Sequence, residues 1–184
     1  MAGICSAFVF AAQMVNFPVA AGTSGHLLGG ALAAILLGPW LAVLCLTVVL
    51  VVQALLFADG GLSALGLNVL LIGIVPAFVG YGLYSALRAV LRSRRAIPVA
   101  AGIAAGVSVP VSAGVFALLF TVGGAAEVST GALLSAMVGT HVLIGVGEGL
   151  ITGGAIGFVL STRADLLHGA SAGVASRVPV LTGR

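Results

Sequence analysis

The chain predicts an all-α fold, a polytopic membrane helix bundle with about six transmembrane helices. Three observations carry that expectation. Of the 184 residues, 61% are hydrophobic and only 6% are charged. A soluble domain carries about a quarter charged residues, so no water-facing surface can be assembled from this composition. The mean hydropathy of +1.32 is spread over successive apolar runs, several of them near the roughly 20 residues that cross hydrocarbon. Glycine and proline punctuate those runs, and all seven basic residues are arginines gathered at two places.

In chain order, the first helix is expected over about 2–17, ending at Phe17-Pro18, followed by a small, Gly-rich loop over 18–25. A second, short helix over about 26–37 stops at Gly38-Pro39-Trp40, where a breaker meets an interfacial tryptophan. The third runs over about 40–57 and ends at the turn signal Ala58-Asp59-Gly60-Gly61. The fourth covers about 64–91 with a kink expected at Pro76, and the fifth about 97–122 with Pro110 inside it. The sixth spans about 130–161. Residues 1–162 then form the bundle and 163–184 a polar, poorly ordered cytoplasmic tail. Merging the second and third helices into one kinked crossing gives a rival with five spans.

Orientation follows from Arg88, Arg92, Arg94 and Arg95 after the fourth helix and Arg163, Arg177 and Arg184 after the sixth. Two helices separate the groups, so both can be cytoplasmic, with Asp59 and Glu127 outside. The N-terminus is then cytoplasmic and the loop before His26 faces outward. No basic region precedes the first apolar run, so that run is expected to stay in the membrane and not be cleaved as a signal peptide. The net charge of +3 is too sparse for a nucleic-acid surface. Cys5 and Cys45 sit in apolar runs and read as buried thiols.

The chemistry-bearing residues are few. His26 follows Gly22-Thr-Ser-Gly25, and an imidazole among such apolar runs needs a hydrogen bond, a charge or a metal. Nitrogen ligation suits Co2+, Ni2+, Cu2+ and Zn2+. The alternative is a helix-start histidine bonded to Ser24 or Asn16. His141 and Glu148 lie seven apart on one helix face, which reads either as a mutually satisfied polar pair or as a proton or metal path. Gln13, Asn16 and Asn68 either line a cavity or bond between helices. Gly145, Gly149, Gly153 and Gly157, like Gly102 and Gly106, repeat every four residues and permit close helix approach to this chain or a partner. No Walker loop and no H-E-x-x-H or G-x-S-x-G motif occurs, and carboxylates are too few for paired-acid chemistry, so an enzyme is not expected.

The stretches Phe10-Ala-Ala-Gln-Met-Val-Asn-Phe-Pro18, Gly22-Thr-Ser-Gly-His-Leu-Leu-Gly-Gly30, Leu56-Phe-Ala-Asp-Gly-Gly61 and His141-Val-Leu-Ile-Gly-Val-Gly-Glu-Gly-Leu-Ile-Thr152 resemble the CbiM/NikM family over about residues 5–161. Those proteins are the substrate-capture (S) subunits of energy-coupling-factor cobalt and nickel importers. The resemblance implies a multi-pass protein of the bacterial inner membrane, with Co2+ or Ni2+ as transported ligand and no cofactor. Its implied partners are a transmembrane T subunit, ATPase subunits, a small accessory membrane subunit and the lipid bilayer. The metal serves cobalamin biosynthesis or nickel enzymes.

The resemblance also implies that His26 is a metal ligand, with Asn16, Ser24, Asn68, His141 and Glu148 as supporting or pathway residues. The family's remaining ligands come from an N-terminal Met-His-Ile-Pro-Asp-Gly, where this chain reads Met1-Ala-Gly-Ile-Cys-Ser6. It is therefore expected to begin at the family's second helix, the missing ligands lying upstream or on a partner. Leu71 and Ile72 stand where the family usually has asparagine and methionine. Two other readings stay open: a scaffold subunit that binds no metal, and a secondary transporter with His141 and Glu148 as a proton relay.

Overall fold

Residues 1–18, 24–124 and 128–168 are described by the computed structural model, the side chains of 16–18 and 24–25 excepted. The helices are α1 (Ala2–Gln13), α2 (Gly30–Leu37), α3 (Pro39–Leu56), α4 (Leu65–Asn68), α5 (Val75–Val90), α6 (Ala96–Gly123) and α7 (Thr130–Thr162). A π-helical turn, Val69–Ile74, joins α4 to α5, so that helix runs from Leu65 to Val90 without a break. Among the described residues, four helices are long and apolar enough to cross a membrane: Pro39–Leu56, Leu65–Val90, Ala96–Gly123 and Thr130–Thr162. The six expected helical segments are thus present, but the first two, at 12 and 8 residues, fall short of a hydrocarbon span.

The first departure from expectation lies between α1 and α2. The first helix stops at Gln13, not near residue 17, and Asn16–Pro18 (β1) pairs antiparallel with Ser24–His26 (β2). His26 is accordingly the last residue of a strand, opposite Asn16, and does not start a helix. Gly29, at φ +72°, turns the chain into α2. A Cβ there would lie 2.8 Å from Val9 Cγ1, so glycine is required both by backbone and by space.

α2 is the centre of the bundle. Its residues Gly30 to Ile35 are all buried, as its apolar composition without a polar face demands. Ala33 and Ala34 pack with Cys5 and Val9 of α1, Ala42 and Leu46 of α3 and Ala77 of α5. Leu32 and Ile35 pack with Ala101 of α6, Ile156 of α7 and Leu167 beyond it. Gly38, at φ +85°, ends α2, and Pro39 opens α3, where its missing N–H costs nothing. The break at Gly38-Pro39 therefore separates two helices. Trp40 is exposed and meets Phe78 edge-on at 5.0 Å.

Pro76 does not break its helix. The preceding turn widens into the π-helix, which accommodates a ring that would clash with the carbonyl four residues back. Pro110 lies inside an unbroken α6. The glycine repeats of α6 and α7 face each other within this chain. A Cβ on Gly102 would lie 2.8 Å from Gly149 O, and one on Gly106 3.0 Å from Gly145 O. The first residues of the expected polar tail pack against the bundle. Ala164–Leu166 forms a 3-10 turn, Leu167 is buried, and His168 N–H donates to Ile35 O at 3.2 Å, tying the end of α7 to the end of α2.

The arginines gather at one end. Arg94 Nη2 donates to Leu160 O at 3.1 Å, which places the α5–α6 connection beside the C-terminus of α7. Glu127 and residues 169–184, including Arg177 and Arg184, lie outside the described residues.

Candidate metal site

The segment 27–29 is fixed by side chains from two distant helices. Glu148 Oε2 accepts from Leu28 N–H at 2.6 Å and Oε1 from Gly29 N–H at 2.9 Å. On the other side of the same residue, Gln13 Nε2 donates to Leu28 O at 2.7 Å. Gln53 Nε2 of α3 in turn donates to Gln13 Oε1 at 3.0 Å. All three side chains are buried. Among the described residues no buried side-chain nitrogen or oxygen lacks a partner, as burial requires. The network joins α1, α3 and α7 to the two residues that follow Leu27.

His26 emerges from this clamp half-buried, its Nδ1 2.8 Å from Leu27 O. A carbonyl only accepts, so Nδ1 carries the proton and the lone pair of the neutral ring sits on Nε2. The ring's described partner is thus its neighbour's carbonyl. The side chains of Asn16 and Ser24, the partners expected from sequence, lie outside the described residues. His26 lines a cavity of about 220 Å³ together with Asn68, Ser112, Phe116, Met137 and His141. Of the expected site residues, His26, Asn68 and His141 are therefore brought together.

Glu148 is not in that group. The anticipated His141–Glu148 pair does not form: His141 Nδ1 bonds Met137 O at 2.7 Å, one helical turn back, while both Glu148 oxygens go to the Leu28–Gly29 backbone. Seven residues of α-helix separate the two side chains by about 10 Å along the axis, too far for direct contact. Asn68 Nδ2 donates to Gly60 O at 3.2 Å, bracing the turn in which Ala58, Gly60 and Gly61 have positive φ. Sequence reasoning missed Gln53 and Ser112, which carry no motif; Ser112 Oγ donates to Leu71 O and holds the π-turn to α6. The thiols of Cys5 and Cys45 are free and buried, as expected.

Among the described residues, no group of three or more His, Cys, Asp and Glu side chains could hold a metal ion. Among the described residues the cavity is lined by two histidines, the Asn68 amide and Ser112, and by no carboxylate. Along α7, His141 stands 19 residues before Leu160, the contact of Arg94. That is about 28 Å, close to the roughly 30 Å depth of bilayer hydrocarbon. The cavity and the arginines are therefore separated by about the thickness of the hydrocarbon.

Among the described residues, four membrane-length helices and a cavity lined by two histidines define a class: a multi-pass helical membrane protein. Residues 1–166 match the family described as the cobalt uptake substrate-specific transmembrane region, CbiM, and the chain belongs to that family. It is 38% identical over 170 residues to the cobalt transport protein CbiM of Sorangium cellulosum, covering 90% of this chain and 74% of that one. It is 34% identical over 180 residues to the fused nickel transport protein NikMN of Rhodobacter capsulatus, covering 91% of this chain and 52% of that longer protein. The crystal structure of a truncated transition metal transporter superposes with a TM-score of 0.76 at 35% identity, over 87% of this chain and 79% of the other. The metal of this family is cargo, so no cofactor is called for.

Proposed function

We propose that this chain is the S subunit of an ATP-driven energy-coupling-factor importer in a bacterial inner membrane, capturing Co2+, with Ni2+ as the alternative cargo, at its outer face. The carrying observation is His26. Its Nδ1 is held at Leu27 O, which on the neutral ring puts the lone pair on Nε2, and the cavity beside it has room for an ion with part of its hydration shell. On this reading 1–162 is the membrane bundle and 163–184 a cytoplasmic tail, on the side of the arginines. A T subunit, ATPase subunits and a small accessory membrane protein supply energy and release, since no nucleotide loop is present here. Asn16 and Ser24 are second candidates for orienting the His26 loop.

The chemistry is coordination and release. Glu148 serves it at one remove, by holding the chain that carries His26. Cobalt accumulation by cells expressing the chain with its operon partners tests the reading. His26→Ala is expected to abolish uptake while the protein still reaches the membrane; unchanged uptake would refute the ligand role. The scaffold reading draws on the absence of a three-ligand group among the described residues. It predicts that the purified chain takes up no Co2+ even when assembled with its partners.

A further inference from the structure

We propose that Glu148 is a positioning residue for the metal-binding imidazole: through the peptide unit between Leu27 and Leu28 it fixes which nitrogen of His26 carries the proton and how the ring is turned. This rests on the importer reading above, in which His26 is a ligand, and it gives a buried carboxyl group on α7 control over that ligand.

Two hydrogen bonds share one peptide unit. Glu148 Oε2 accepts from Leu28 N–H at 2.6 Å, and Leu27 O, the carbonyl of the same unit, accepts from His26 Nδ1–H at 2.8 Å. Among the described residues no peptide bond is cis, so in this planar unit the N–H and the C=O point in opposite directions. A carboxyl group that captures the N–H therefore dictates where the carbonyl points. The carbonyl only accepts, so it dictates in turn that Nδ1 holds the proton and that the lone pair of the neutral ring is on Nε2.

The next peptide unit keeps the first from swinging. Glu148 Oε1 accepts from Gly29 N–H at 2.9 Å and Gln13 Nε2 donates to Leu28 O at 2.7 Å, so the unit between Leu28 and Gly29 is gripped at both ends by buried side chains. Gln53 Nε2 steadies Gln13 from α3 at 3.0 Å. The unit between Leu27 and Leu28 is gripped at one end by Glu148, and at the other its described partner is His26 itself. Glu148 is 2% exposed, so water does not compete for its bonds, whereas the His26 ring is only partly buried and takes its direction from the carbonyl beside it.

A group that merely satisfied the donors ahead of α2 would end at the backbone. The bond from Leu27 O to the ring carries the hold onward to the site. Metal-ligating histidines donate their second nitrogen to a carboxylate or a backbone carbonyl, which fixes tautomer and direction. Here the two are used in series: carboxyl group, peptide, imidazole. Both Glu148 oxygens act as acceptors, as those of an ionised carboxylate do. Hydrogen bonds in series polarise one another, so a charged acceptor at Leu28 N–H strengthens Leu27 O as an acceptor and Nε2 as an electron-pair donor to a cation. Glu148 thus acts on the ion without entering its coordination sphere.

The test is nitrogen NMR of the purified full chain in detergent, with isotope-labelled histidine and backbone amides, before any metal is added; Co2+ titration of the same samples follows. His26, assigned by the signal that His26→Ala removes, is expected as the Nδ1–H tautomer in wild type, and the Leu28 amide proton is expected to resist exchange. In Glu148→Gln the Nδ1–H form should give way to a mixture of tautomers, and Co2+ affinity should fall about tenfold or more. Gln13→Leu is the control: it frees the other peptide unit and loosens the same clamp, yet should keep the wild-type tautomer. The Nε2–H tautomer in wild type overturns the proposal, as does a Leu28 amide that exchanges as fast as an open loop, and neither readout needs a variant to fold. Glu148→Gln with an unchanged tautomer, or with Co2+ affinity within twofold of wild type, overturns it as well. So does Gln13→Leu shifting the ring as far as Glu148→Gln does, since the cause would then be general loosening. Absence of Co2+ binding by the wild-type chain refutes the importer reading, while the metal-free spectra still decide the relay.

Discussion

Glu148 reaches the backbone of Leu28 across 120 residues of sequence, its Oε2 2.6 Å from the amide nitrogen. The second oxygen takes Gly29 N–H at 2.9 Å, so one carboxyl group holds two consecutive donors just ahead of α2. The chain there is neither strand nor helix, and these donors have no secondary-structure partner. The carboxyl group substitutes for the missing ladder.

Glu148→Gln is expected to destabilise the protein by roughly 2–4 kcal/mol, because an amide presents one oxygen and one NH2 where two N–H groups need acceptors. Glu148→Ala should do at least as much. Thermal unfolding in detergent measures the first effect, and Co2+ affinity its consequence at His26. A variant as stable as wild type would show that the clamp is dispensable.

Gln13 and Gln53 should behave as a unit. Gln13→Leu strands the Leu28 carbonyl and Gln53 Nε2, at roughly 1–3 kcal/mol, and Gln53→Leu strands Gln13 Oε1. The double variant should cost less than the two single changes added together, since neither partner is then left alone. Additive losses in a double-mutant cycle would contradict the 3.0 Å bond between them.

Two glycines on one helix should respond oppositely to alanine. A Cβ on Gly145 would press on the carbonyl oxygen of Gly106, which is backbone and cannot turn aside, whereas Gly147 has nothing within 4 Å. Gly145→Ala is expected to lose roughly 1–3 kcal/mol through separation of α6 from α7. Gly147→Ala should be neutral or slightly stabilising, as it removes helix-interior glycine entropy. Unfolding midpoints of the two variants, measured side by side, decide it.

The segment after α7 should be held by Leu167 and not by its ion pair. Leu167→Ala removes a side chain that is 7% exposed and packed on Leu32 and Ile35, at roughly 2–4 kcal/mol. Arg163, bonded to Asp165 at 2.9 Å, holds that carboxyl below the usual carboxylate range. A lowered value means that the pair contributes above the unfolded carboxyl's pKa and is lost as pH falls through the folded one. Both side chains are largely exposed, at 65% and 58%, so water screens the interaction. Acid titration of stability should therefore look alike in wild type and Asp165→Asn.

Much of the bundle was legible before any coordinates. Apolar run length located α3, the Leu65–Val90 helix, α6 and α7 to within one or two residues, because burial in lipid demands long uninterrupted hydrocarbon. Gly38-Pro39 was rightly a boundary, since left-handed glycine followed by proline ends one helix and opens the next. The region around His26 was misread as a helix start. There, Asn16–Pro18 and Ser24–His26 satisfy each other's backbone, and three strand residues on each side leave too little period to recognise. Within the expected tail, Leu167 reaches the core, and one apolar residue among polar neighbours leaves no period that would mark it.

For the candidate site, composition and spacing singled out His26, Asn68, His141 and Glu148 as polar groups that an apolar bundle must account for. That much follows from desolvation, which acts on residue type wherever the residue lands. Which of them meet was decided by tertiary packing. Helical spacing put His141 and Glu148 on one face and suggested a pair; the fold instead set His141 beside the cavity that His26 also lines and gave Glu148 to Leu28 and Gly29. Sequence alone determined that this is a membrane bundle of α-helices with a few costly polar groups. Only the folded chain decided their partners, because a hydrogen bond depends on ångström-scale approach between segments more than a hundred residues apart, and no local period encodes that distance.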